Sequence, residues 1–256
     1  MNRNSINEGC VLCDGISNDF LSMNKTYPNL TDSPVLFRTD NYVIIPDKYP
    51  LGEGHVLVVP KKHVNSFAEF DSEESLEIGF IYDKLRQITN ADSFLIFEHG
   101  TSKLEQATTD PKIKSIFHAH LQFIPNLGCT YEGLEDFFGV KDVQLLDELG
   151  KSRSLEEYRQ DYVGNGEIVN FLRKNTAYDD ESINSIASYL YIRTSDDNQF
   201  FFPEHLITPK LPSQFLREAL SDVSNTPEWN WKIAMTDEGL AKYFDRIIRT
   251  IDLFKK

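Results

Sequence analysis

Between residues 34 and 125 the chain consists of short apolar, β-branched runs separated by turn formers, a pattern that restricts this segment to a fold built on a sheet. Val35-Leu36-Phe37-Arg38, Tyr42-Val43-Ile44-Ile45 and His55-Val56-Leu57-Val58-Val59 are divided by Thr39-Asp40-Asn41 and by Pro50-Leu51-Gly52-Glu53-Gly54, which predicts an antiparallel meander. Phe94-Leu95-Ile96-Phe97 and the run from Ile116 to Ile124 supply two more strands. In the second of these, Phe117, Ala119, Leu121 and Phe123 alternate with His118, His120, Gln122 and Ile124, so the two histidines and the glutamine are expected on one face. One helix interrupts the strands. Asp71 or Ser72 can cap it, and Ile78, Ile81, Leu85 and Ile88 recur at helical spacing, which predicts a helix packed on the sheet. The polar segment 101–114 shows no periodicity and is expected to be a long loop.

After Pro125 the composition changes. Residues 131–175 are rich in charge with scattered aromatics, which predicts short helices and connections. Ser188-Tyr189-Leu190-Tyr191-Ile192-Arg193 and Gln199-Phe200-Phe201-Phe202, joined by Thr194-Ser195-Asp196-Asp197-Asn198, predict a hairpin. Two helices follow. Ser213 can cap the first, and the second begins after Thr236 with Leu240, Tyr243, Phe244, Ile247, Ile248, Ile251 and Phe254 on one stripe, expected to pack against the hairpin. The expected class is α+β: a first domain over residues 1–130 with a mainly antiparallel sheet and a packed helix, and a C-terminal α+β extension over residues 131–256.

A net charge of −14 argues against a nucleic-acid polymer as partner, because such binding depends on Lys and Arg neutralising phosphates. A small phosphorylated ligand is compatible with it. No run approaches the eighteen or so uncharged apolar residues of a membrane span, and the polar start Met1-Asn2-Arg3-Asn4-Ser5-Ile6-Asn7-Glu8 has no secretory core, so a cytoplasmic protein without membrane association is expected. Two of the three cysteines form Cys10-Val11-Leu12-Cys13, a spacing that in a reducing compartment points to metal binding or redox chemistry. Cys129 has no evident partner.

Five of the six histidines fall between positions 55 and 120. A His-x-His pair alone says little, but its neighbours add to it. Asp47-x-x-Pro50-x-x-x-x-His55-x-Leu57-Val58-Val59-Pro60-Lys61-x-His63, followed by His118-x-His120-x-Gln122-x-x-Pro125, resembles the histidine triad superfamily of nucleotide hydrolases and nucleotidyltransferases over roughly residues 10–125. Gln122 stands where a third histidine is usual. In that respect the chain looks like the branch holding galactose-1-phosphate uridylyltransferases and dinucleoside polyphosphate phosphorylases, although bacterial triad hydrolases also carry glutamine here.

The resemblance implies that His120 attacks the α-phosphorus of a nucleotide and forms a nucleotidyl-histidine. Gln122 can donate its amide to a phosphate oxygen as charge develops, but cannot deliver a proton. His99 falls where the family often places an asparagine; it is a phosphate contact, the missing acid, or a structural histidine. Ser115 matches a family serine that contacts phosphate, or is a strand-edge serine. Asp47 matches the ribose-binding aspartate, or is a turn residue beside Pro46. Cys10, Cys13, His63 and His118 match the four ligands of a structural zinc site; the other reading is a pair of reduced thiols on a loose terminus. Arg193 and Arg217 are the extension's candidates for a charged group near the site. The expected partner is a nucleotide or nucleotide-sugar-like small molecule, with a homodimer as a further expectation. The competing function is a nucleotide-binding sensor or interaction protein with little turnover.

Overall fold

In the computed structural model, which describes residues 10–70, 72–101, 116–160, 188–209, 215–223, 230 and 235–256, the period-2 runs form one eight-stranded antiparallel sheet. In chain order the elements are α1 (Val11–Ser17), β1 (Phe37–Arg38), β2 (Tyr42–Pro46), β3 (Val56–Pro60), α2 (Ser72–Thr89), β4 (Phe94–Gly100), β5 (Leu121–Pro125), α3 (Tyr131–Val140), β6 (Gln144–Leu146), β7 (Ser152–Arg153), α4 (Leu155–Tyr158), β8 (Arg159–Gln160), β9 (Tyr189–Arg193), β10 (Gln199–Pro203), β11 (Ile207–Thr208), α5 (Phe215–Val223) and α6 (Asp237–Phe254). The large sheet runs β1-β2-β3-β5-β4-β9-β10-β8, and β11-β6-β7 form a small second sheet. The class is α+β with a mainly antiparallel sheet, as the residue pattern predicts. The segment 101–114 lies outside the described residues beyond Thr101, as do Asp71 and Ser213.

Side-chain alternation assigns each face of the sheet its own cover. On the first face, Ile44, Val58, Ile96, Phe123, Tyr189 and Tyr191 pack under Ile78, Ile81 and Leu85 of α2. The second face is covered in two parts. Leu12 of α1 and Phe20 cover Val43, Ile45, Leu57 and Val59, whereas α3 and α5 cover Leu95, Phe97, Ile124, Leu190 and Ile192. Register places Gln122 directly between Leu57 on β3 and Phe97 on β4, hence between the two apolar covers. That polar gap positions the site.

Two expectations are corrected. The run 116–124 is a strand only from Leu121, with a bend at His118. Upstream of it the backbone leaves the ladder because the Ala119 N–H donates to the Val64 carbonyl and His118 is drawn among Cys10, Cys13 and His63. The apolar stripe of α6 does not pack on the hairpin; Tyr243 and Ile247 pack with Met23, Tyr27 and Leu30. The hairpin has no face to offer, since Tyr189, Tyr191 and Phe201 are already under α2, and Leu190, Ile192, Phe200 and Phe202 under α3 and α5.

A buried carboxyl ties the first face together. Glu98 on β4 accepts from the Phe67 N–H at 2.9 Å and from the Tyr189 hydroxyl at 2.6 Å, and Gly100 is what lets the Tyr189 ring lie so close to β4. Burial pushes the Glu98 carboxyl up to about 7, against both of these hydrogen bonds. A folded-state value above the unfolded one means the folded chain holds the proton more tightly. The stabilisation is therefore full below about pH 4.5 and is lost as pH rises to about 7, a span worth on the order of 3 kcal/mol. Glu98→Gln, which carries no charge at any pH, is expected to flatten this dependence and to unfold at higher urea than the native chain at pH 8, as read from paired urea titrations at pH 5 and pH 8.

Candidate functional site

The Cys-x-x-Cys segment forms the first turn of α1. Cys10 is the helix N-cap, its sulfur accepts from the Cys13 N–H, and one helical turn brings both thiols to one side. His63 follows β3 and His118 precedes β5, two strands that are neighbours in the sheet. Cys13 Sγ lies 3.3 Å from His63 Nδ1 and 3.4 Å from His118 Nδ1, and Cys10 Sγ lies 3.4 Å from His118 Nδ1. All four donor atoms fall within 4.8 Å of one another. A tetrahedral ion with sulfur and nitrogen at ordinary zinc distances has S···N edges of about 3.5 Å, so the donor set and its spacing fit a closed site. His118 Nε2 donates to the Pro60 carbonyl at 2.8 Å, which makes Nδ1 its ligand atom. Burial lowers the His118 ring to about 4, keeping it neutral, and pushes the Cys10 thiol up to about 11, so a thiolate there needs a cation beside it.

The same His118 peptide orients the next histidine. His120 Nδ1 donates to the His118 carbonyl at 2.9 Å, which leaves the lone pair on Nε2. Burial lowers the pKa of His120 and the charge of His99 adds to this, while the His118 carbonyl and Asp47 oppose it. The hydrogen bond to the His118 carbonyl fixes the tautomer, and the lowered pKa favours the neutral ring.

Gln122 is oriented by a residue that strand periodicity marks only as packing. His55 is fully buried; its Nδ1 accepts from the Leu51 N–H at 3.0 Å, so its Nε2 carries the hydrogen and donates to Gln122 Oε1 at 3.0 Å. Burial lowers the His55 ring to about 4, consistent with a single tautomer. The amide oxygen of Gln122 is thereby committed, and its NH₂ end is the donor available to a ligand.

Asp47 opens the connection between β2 and β3. Its carboxylate accepts from the Tyr49 N–H at 2.7 Å and lies 3.6 Å from the Arg217 guanidinium on α5. Burial pushes its pKa up, but His55, Arg217, the Tyr49 N–H and His120 outweigh burial and hold it below the usual carboxylate range. Arg217 also donates to the Tyr49 carbonyl, Arg246 of α6 to the Pro50 carbonyl at 2.9 Å, and Thr250 Oγ accepts from the Gly54 N–H at 2.9 Å. The extension therefore grips the loop that carries Asp47 at four points. Arg193, the other candidate arginine, lies over the Tyr82 ring on the α2 face and pairs with Asp197.

His99 lies in β4 rather than after it, on the same face as Phe97, and its Nε2 meets Glu204 Oε1 at 3.0 Å. Ser115 lies outside the described residues. Lys61, which follows β3, donates to the Thr39 and Asp40 carbonyls. Cys129 is buried in the second-face core, and burial pushes its thiol up to about 12. His55 and Glu204 are the polar partners that sequence reasoning misses. His55 becomes visible once β3 is set against β5, because it is the diagonal neighbour of Gln122 on that face; Glu204 has no motif at all.

Comparison with known proteins finds similarity over the first half of the chain. Residues 22–126 match the family model described as scavenger mRNA decapping enzyme C-term binding. An uncharacterised HIT-like protein of Saccharolobus solfataricus is 25% identical over 126 residues, covering 49% of this chain and 82% of its own length. Over this segment the chain is similar to histidine triad proteins. A HIT-like protein of Chlamydia pneumoniae is 25% identical over 99 residues, 37% of this chain and 83% of that protein. Among solved structures, a HIT family hydrolase from Clostridium thermocellum is similar at 17% identity and a TM-score of 0.34, over 49% of this chain and 98% of that one. A member of the HIT family from Bacillus subtilis is similar at 22% identity and a TM-score of 0.33, over 46% and 73%. These similarities span about half of the chain or less, and what the extension does is read from its own residues. Among the described residues no helix is long and apolar enough to cross a membrane.

Proposed function

We propose that the protein is a nucleotide hydrolase or nucleotidyltransferase that cleaves a phosphoanhydride or phosphoester, such as that of a dinucleoside polyphosphate, through a nucleotidyl-histidine on His120. The observation that carries this reading is the His120 Nδ1 to His118 carbonyl bond at 2.9 Å, which presents Nε2 of a neutral ring as a nucleophile. In this reading the NH₂ of Gln122 stabilises the equatorial oxygens of the transition state, Asp47 and Ser115 bind the nucleotide, and Cys10, Cys13, His63 and His118 hold a structural zinc. When bound, the metal supplies structure: it ties α1 to the two histidines and fixes the peptide whose carbonyl orients His120. Because Gln122 has no proton to give, the favoured leaving groups are phosphates or pyrophosphate, a property shared with the transfer branch the sequence resembles.

Residues 1–130 form the catalytic part in this proposal, and residues 131–256 an extension that completes its walls, with Arg217 at Asp47 and β9 paired to β4 as support. Because the β4 edge is taken by β9, a homodimer would have to form through another surface. A cytoplasmic setting keeps Cys10 and Cys13 reduced for the ion.

Dinucleoside tetraphosphate labelled at the α-phosphorus, supplied with and without inorganic phosphate, tests the assignment. Release of labelled mononucleotide in water marks a hydrolase, and label passing to phosphate as nucleoside diphosphate marks a transferase. Binding without release across several nucleotides would instead establish the sensor reading.

A further inference from the structure

We propose that Glu204, contributed by the extension, holds His99 as the group that protonates the leaving oxygen and later deprotonates the acceptor. This rests on the nucleotidyl-transfer reading above and supplies the proton that Gln122 lacks. Three observations converge on it. His99 lies on the face of β4 that carries Phe97, the register partner of Gln122, and its charge lowers the pKa of His120. Its Nε2 lies 3.0 Å from Glu204 Oε1, with the two side chains 33% and 19% exposed, so the pair is reachable from solvent but not fully screened. Glu204 is itself anchored, because its N–H donates to the Ser188 carbonyl at 2.8 Å where β10 ends.

A carboxylate on one ring nitrogen favours the imidazolium and fixes the ring plane, so the proton exchanged with substrate is the one on Nδ1. Among the described residues, Glu204 favours the cationic form of His99 and His120 opposes it, whereas Glu98, the preceding residue of β4, lies on the opposite face with Tyr189. In the first step the His120 Nε2 lone pair forms an N–P bond as the bond from phosphorus to the leaving oxygen breaks. The freed electron pair takes the His99 proton. In the second step an acceptor hydroxyl gives its proton back to neutral His99 while its oxygen forms the new bond to phosphorus and the N–P bond breaks. Glu204 acts only through His99 and is a positioning residue.

The test compares two adenosine 5′-phosphate esters that differ in the need for an acid, one with a nitrophenol and one with a simple alcohol as leaving group. Glu204→Gln is expected to lower kcat on the alkyl ester at least about 10-fold more than on the nitrophenyl ester, and His99→Asn about 100-fold more, within the usual range of acid catalysis. Glu204→Asp is expected to recover part of the loss. Equal losses on both esters would mean a structural role and overturn the proposal, and the nitrophenyl ester reports at the same time that each variant is folded. A native chain that cleaves dinucleoside tetraphosphate but neither ester would overturn this proposal alone, and one that cleaves none of the three would remove the nucleotidyl-transfer reading and this one with it.

Discussion

His120→Ala is expected to abolish turnover of nucleotide substrates, with a fall in kcat of about 10⁴-fold or more, while the melting temperature stays within a few degrees of the native chain. The split follows from where the ring sits. His120 belongs to none of the apolar clusters, and among the described residues its one hydrogen bond goes to a local carbonyl two residues back, so its removal is expected to cost little packing. Every chemical step in the proposed function passes through its Nε2. His120→Gly with added imidazole is expected to recover a measurable fraction, since the free ring can enter the space the side chain vacates. A kcat reduced by less than 10-fold would show that phosphorus is attacked by some other group.

If Cys10, Cys13, His63 and His118 hold the proposed zinc, its removal is expected to have the largest effect on stability. Cys13→Ser, or treatment with a strong chelator, is predicted to lower bound zinc from about one ion per chain to none, to reduce stability by about 3 kcal/mol or more, and to lower kcat at least 10-fold. Two consequences of the geometry lie behind the prediction. The first is that α1 covers the β2 and β3 part of the second face with one apolar cluster, in which Leu12 and Phe20 meet Val43, Ile45, Leu57 and Val59. Without the ion, this short helix is held, among the described residues, by that apolar contact and by two thiols against two imidazoles. The second is that His118 serves two masters: its ring is one of the four donors that could hold the ion, and its carbonyl sets the His120 tautomer. Loss of the ion therefore loosens the nucleophile as well as the helix. Elemental analysis, a urea titration and a kcat measurement on the same preparations separate these effects, and a Cys13→Ser protein that keeps full stability and full kcat would contradict the structural role of the ion.

What the sequence reveals depends on whether the signal is local. The strands Tyr42–Pro46 and Val56–Pro60 and the helix Ser72–Thr89 are legible because each carries its own periodicity. The Cys10 and Cys13 pair is legible because one helical turn brings the two thiols together whatever the rest of the fold does, and the resemblance supplies His63 and His118. Two features are not legible for the same reason. The pairing of β4 with β9 joins residues about ninety positions apart through backbone hydrogen bonds that no side-chain pattern encodes. The partner of α6 is likewise invisible in its stripe, which says only that one face is apolar and not whether it meets the hairpin or Met23, Tyr27 and Leu30. The bend at His118 defeats the alternation rule because side-chain chemistry at the cluster outweighs the ladder hydrogen bonds lost there. In the site itself, the orienting partners lie far from their targets in sequence: His55 for Gln122, Glu204 for His99 and Arg217 for Asp47.

The central claim, a nucleotidyl-histidine on His120, is tested most directly by trapping it. Protein mixed with a dinucleoside polyphosphate, quenched within a turnover under alkaline conditions and digested, is examined by mass spectrometry for the peptide that contains Phe117-His118-Ala119-His120-Leu121. The expected result is one nucleoside monophosphoryl group per chain on His120, absent from His120→Ala and lost on brief acid treatment. A native chain that turns over substrate while this peptide stays unmodified, or that carries the label on another residue, would contradict the account.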